Sequence, residues 1–144
     1  MIRKWLPDCG LPALRLALVA KAFAPADSAI AAYEILKGNL ASVIVEPGKM
    51  KDMLFRVNWP AKSAYMPEGY LNRLTTWTAI VATARAGQVG SLPTIEVGQR
   101  HYAYREIDVN TPAEHSEELP AEQLVPIFDE LFELVISTAK AGEK

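Results

Sequence analysis

Apolar and polar positions are patterned most clearly between Pro67 and Gly87. At about 100° per residue, Tyr70, Leu74, Trp77, Val81 and Ala84 fall on one stripe, with Leu71 and Ile80 at its edges. Pro67, Glu68 and Gly69 read as a helix start, with a proline before the first turn and an acid near the positive end of the dipole. Gly87 reads as its stop. The spacing therefore predicts a central helix. Its opposite face, Asn72, Thr75, Thr76, Ala79, Ala82, Thr83 and Ala86, carries no charge, and only Arg73 and Arg85 flank it. A solvated helix face normally carries Lys, Glu or Arg. This face is expected either to lie under the same chain or to form an interface with a subunit or partner.

Before this element, residues 1–12 hold Trp5, Pro7, Cys9, Gly10 and Pro12 and read as an irregular arm pinned by Trp5. Residues 13–23 fit two periods. Leu14, Leu18 and Ala22 suit a helix, whereas Leu14, Leu16, Leu18 and Ala20 alternate as in a strand, and the alanines favour the helix. Pro25 breaks the segment. Asp27 or Ser28 then caps a helix over Ala29–Lys37 that ends at Gly38, with Ile30, Tyr33 and Leu36 inward. Leu40–Glu46 and Met53–Trp59, separated by Pro47-Gly48, read as a first hairpin. In its second strand Met53, Phe55, Val57 and Trp59 share one face.

After the central element, Thr94–Val97 and Tyr102–Val109 read as a second hairpin turning at Gly98-Gln99. Tyr102 and Tyr104 stand on the opposite parity from Ile107 and Val109, so either both faces are covered or a bulge shifts the register. Thr111–Leu119 is an acidic loop. A last helix runs from Pro120 to about Ala139, with Leu124, Ile127, Phe128, Leu131, Leu134 and Val135 inward and Pro126 on its polar side. Residues 140–144 form a frayed tail. The expected fold is α+β: one domain over 1–144, with an antiparallel sheet of two hairpins packed against the central helix, N-terminal helices and a C-terminal helix.

Composition narrows the function. The chain has 144 residues, half of them hydrophobic, and a net charge of −2. That balance lacks the basic excess of a nucleic-acid binder. The apolar run Leu14–Phe23 is interrupted by Arg15 and Lys21 and is too short to span a bilayer, so no membrane insertion is expected. The basic Met1–Leu6 is followed by no small-residue cleavage site, which argues against a signal peptide. The lone Cys9 forms no intrachain disulfide and fits a reducing cytoplasm.

No catalytic signature emerges, and neither a metal nor a cofactor is expected. The two histidines, His101 and His115, belong to no cluster with metal-ligand spacing. Gly-Gln-Val-Gly at 87–90 follows a helix pattern, where a phosphate loop would precede one. Cys9 would need a histidine brought to it in space to act as a nucleophile. Arg56, His101 and Arg105 form a candidate anion pocket, while Glu106 and Asp108 fall on the other strand face. Cross-strand ion pairs on an exposed face explain the same residues. Trp59, Tyr65 and Tyr70 either line a cleft or rim the core.

The order of these elements resembles that of small acidic type III secretion chaperones, in which a middle helix commonly serves dimerisation. A strand of that pattern before Ser42 is missing here, and no residue is carried over. The expectation is a non-enzymatic assembly or adaptor protein, homo-oligomeric or part of a larger complex. Its interface would comprise Asn72, Thr75, Thr76, Ala79, Thr83 and Ala86. The alternatives are a ligand-binding domain or enzyme using Arg56, His101 and Arg105, and a secretion-chaperone-like dimer.

Overall fold

The computed structural model describes residues 5–6, 13–86 and 95–141, the side chains of 85–86 and 95–97 excepted. The described elements are β1 (Ala17–Ala26), α1 (Ala29–Asn39), β2 (Leu54–Asn58), β3 (Ala61–Lys62), β4 (Tyr70–Ala86), β5 (Ile95–Asn110) and α2 (Ala121–Ala141). The fold is α+β, with one antiparallel five-stranded sheet ordered β1-β5-β4-β2 and β3 also pairing β4.

The expected central helix is strand β4. From Leu74 to Ala84, six of eleven residues (Thr75, Thr76, Thr78, Ile80, Val81 and Thr83) are β-branched and stiff at χ1, which suits a pleated strand better than a helix. Residues 72–80 are all buried or half-buried, so the strand is covered on both faces there. This explains the missing charges that suggested a helix back. Pro67-Glu68-Gly69 is a turn rather than a helix start. Gly69 N–H donates to Met66 O at 2.9 Å, and Gly69 takes φ 75°. Proline second and glycine fourth are favoured positions in such a turn. Gly87, the expected stop, lies outside the described residues.

Three further expectations change. Residues 13–23 yield strand β1 from Ala17, not a helix: Leu16, Leu18 and Ala20 are half-buried and Ala17, Val19 and Lys21 exposed, the alternation winning over alanine propensity. Pro25 does not end it, because an edge strand tolerates a proline. Leu40–Glu46 forms turns and irregular backbone, and β2 pairs with β4 instead. Gly98-Gln99 makes no turn. β5 runs straight through Gly98, whose φ is not positive, and both its faces are covered from His101 to Asn110.

Both remaining helices form, although α1 runs through Gly38, its expected end, to Asn39. Ser28 caps α1, its hydroxyl accepting from Ala31 N–H at 3.1 Å. Ala32, Tyr33 and Leu36 are buried there, while Ile30 is exposed. In α2, Leu124, Ile127, Leu131, Val135 and Thr138 are buried and Pro126 lies inside the helix. The helix reaches Ala141, two residues into the expected tail. Of the arm, Trp5 is 60% exposed, so Leu6, packed in a core, does the pinning.

Contacts divide the chain into two compact units. One takes residues 1–21, 56–76 and 106–144, and its core joins α2 to Leu71, Ile107 and Val109. The other takes residues 22–55 and 77–105, and its core joins α1 to Val45, Met53, Trp77 and Ala103.

Candidate functional site

In the 22–55/77–105 unit, α1 covers strand residues through Ala32, Tyr33 and Leu36. The Tyr33 hydroxyl accepts from Met53 N–H at 3.3 Å, and the Thr78 hydroxyl donates to Met53 O at 2.7 Å. Phe55 and Trp77 stack at 5.6 Å, and the Arg105 guanidinium lies 5.4 Å above the Trp77 ring. These contacts hold the segment leading into β2 against β4. Beside it a cleft of about 410 Å³ opens between α1, residues 48–52 and both long strands. Ile30, Tyr33, Met50 and Val81 make it largely apolar, and Lys51, Asp52 and His101 are its polar rim. His101 Nδ1 is buried and has no hydrogen-bond partner among the described residues. The same histidine borders a second cleft of about 430 Å³ beside Pro25, Asp27 and Arg100.

Of the candidate pocket residues, only His101 lines the cleft. Arg105 is taken up by the Trp77 ring, and Arg56 is an exposed residue of β2. Glu106 meets Lys21 of β1 at 3.5 Å, which fits cross-strand pairing, whereas Asp108 accepts from the Asn110 side chain of its own strand at 2.9 Å.

The candidate interface residues share no helix face, since a strand sends alternate residues to opposite sides. Thr75, Ala79 and Thr83 take one side, and Asn72 and Thr76 the other. Thr75 is buried, Thr76 half-buried and Thr83 exposed, and Ala79 lines the cleft. Asn72 accepts from Asn58 at 2.9 Å and donates to Asn110 at 3.2 Å, a polar rung across three strands. The Ala86 side chain, Cys9 and Gly-Gln-Val-Gly at 87–90 lie outside the described residues.

One polar pair in the other unit escaped the sequence reading. His115 is buried, and its Nδ1 lies 2.7 Å from Glu68 Oε1. That hydrogen bond holds the Glu68 carboxyl below its ordinary range. The Tyr70 hydroxyl donates to Glu114 at 3.4 Å, and desolvation, reinforced by Glu114, pushes its phenol up. Trp59 and Tyr65 are exposed and line neither cleft. Among the described residues, no group of three or more His, Cys, Asp or Glu is placed to hold a metal, and no helix is long and apolar enough to cross a membrane. Comparison with protein-family models, curated proteins and solved structures returned no match.

Proposed function

We propose that this is a non-enzymatic assembly protein that works through strand and sheet surfaces, as a homo-oligomer or within a larger complex. The observation that supports the reading is the free length of β4. Lys21 faces Glu106, and Phe23 stands 5.1 Å from Tyr104. The same register brings Ala26, the end of β1, opposite His101. β5 residues 95–100 and the β4 segment beside them thus run on as a two-stranded ribbon. Val81, Ala82, Thr83 and Ala84 are all exposed on it. An isolated two-stranded ribbon is marginally stable in water, so one whose β4 residues 81–84 carry no charge suits a strand completed by a partner. Phe23, Ile30, Ile44 and Leu54 add exposed apolar surface to the same unit. The helical rationale for a chaperone-like dimer is gone, because the middle element is a strand.

Light scattering across the micromolar range, with affinity capture from a native extract, tests the reading. A concentration-dependent rise in mass or a stoichiometric complex is expected. A strict monomer that captures nothing contradicts it.

The cleft supports a second reading, a site for a small, largely apolar ligand that engages His101 Nδ1. Its volume lies within the range of about 300–1,000 Å³ usual for such sites. Histidine ring signals followed by NMR during a screen of small apolar acids and alcohols test it. Absence of any shift at His101 removes the reading.

A further inference from the structure

We propose that the open edge of β4 from Ile80 to Ala84 pairs antiparallel with the same edge of a second copy of this chain. The inference rests on the assembly reading and names its partner.

Backbone geometry defines the edge. Arg73 O accepts from Trp59 N–H at 2.9 Å, and Gly69 O from Ser63 N–H at 3.0 Å. Backbone groups alternate in direction along an antiparallel strand, so odd-numbered positions of β4 turn N–H and C=O away from β5. β3 pairs Ala61 with Leu71. The same register places Leu54, the first residue of β2, opposite Thr78. Met53, the residue before it, falls opposite Ala79 and accepts from the Thr78 hydroxyl at 2.7 Å. Beyond Met53, Val81 and Thr83 turn their backbone groups to an edge that no described strand pairs. The cleft marks the same place independently. It is lined by Ala79, Ile80 and Val81 in succession. Neighbours along a strand point to opposite faces, so an opening that meets all three reaches the strand's edge. A row of alternating donors and acceptors is satisfied in series by another extended backbone.

Charge selects the occupant. Leu74–Ala84 contains no charged residue, and the nearest in sequence are Arg73 and Arg85. Edge strands are ordinarily guarded by lysine, proline or a bulge, and this one has none of the first two. A charged segment would find no opposite charge on residues 79–84 themselves. The run's own copy is neutral and β-branched, so antiparallel pairing sets no like charges opposite one another. A two-fold axis makes such a contact self-complementary and closed. Side chains of the incoming strand on the cleft's face then occupy the cleft.

Sedimentation velocity across the micromolar range tests this on the full chain. The wild type is expected to form dimers. Val81→Pro removes one open-edge donor and spares the β4–β5 ladder. Thr83→Glu sets two carboxylates on the paired edges. Each is expected to weaken dimerisation by about tenfold or more, whereas Glu34→Gln, exposed on α1 and off the edge, leaves it unchanged. Should Val81→Pro fail to fold by circular dichroism, Thr83→Glu carries the test, since its side chain is exposed. Dimers that survive both substitutions overturn the edge while leaving assembly standing. A wild type that stays monomeric alone, yet is captured in complex with a different protein, overturns the second copy in the same way.

Discussion

Glu68 and His115 stand 47 positions apart in sequence and 2.7 Å apart in space. Their bond ties the turn before β4 to the loop before α2. Glu68 is held below its ordinary value of 4.5, first by that hydrogen bond. Its stabilising contribution is therefore complete above 4.5 and lost as pH falls through its lower folded value. Thermal melts of wild type and Glu68→Gln are expected to differ most near neutrality and to converge as pH drops below that range. A gap that widens on acidification contradicts the assignment. Glu130 makes a second tie, accepting from Ser63 Oγ at 2.5 Å and Ala64 N–H at 3.0 Å. Glu130→Ala leaves both donors without that partner and is expected to cost about 1–3 kcal/mol by urea denaturation. Neither tie was legible in the sequence. A loop acid and a loop histidine carry no local pattern, and only the tertiary fold brings them together.

At the scale of elements, legibility followed locality. Ser28 ahead of α1 and the broad apolar face of α2 are signals complete within one helix, and both helices form where they were read. β4 defeated the same reading because Tyr70, Leu74, Trp77, Val81 and Ala84 fit a helical stripe. Its β-branched content and want of charge were the better guides. For β5, Gly98 lies inside a strand, and nothing local distinguishes it from a turn glycine. The strand reading changes what charges on β4 should do. Thr76 and Thr83 lie on opposite faces, and only Thr83 is exposed. Thr76→Lys is expected to lower the melting temperature by several degrees, through a charge forced against a covered face. Thr83→Glu should keep stability within about 0.5 kcal/mol. Equal losses in the two melts would contradict the alternation.

For the whole molecule, the α+β class and the antiparallel sheet were legible, because strand-like and helix-like segments alternate with turn residues along the chain. The candidate site was legible only in part. Ala79, Thr83 and His101 do meet open surface or cleft, but through strand geometry rather than a helix face. The net charge of −2 is small, and the edge itself is neutral. Association should accordingly be insensitive to salt, changing by less than about threefold between low and physiological ionic strength. A steep salt dependence in the sedimentation isotherm would point to a charged interface elsewhere. In the proposed assembly the open edge of β4 is closed by a second copy of the chain. Backbone amide exchange followed by NMR at low and high protein concentration reads that edge directly. The amides of Val81 and Thr83 are expected to exchange fast when dilute and to gain protection when concentrated, with those of Ile80 and Ala82, turned towards β5, protected throughout. Odd-numbered amides that are equally protected at both concentrations, or that stay unprotected in an associated sample, would contradict the account.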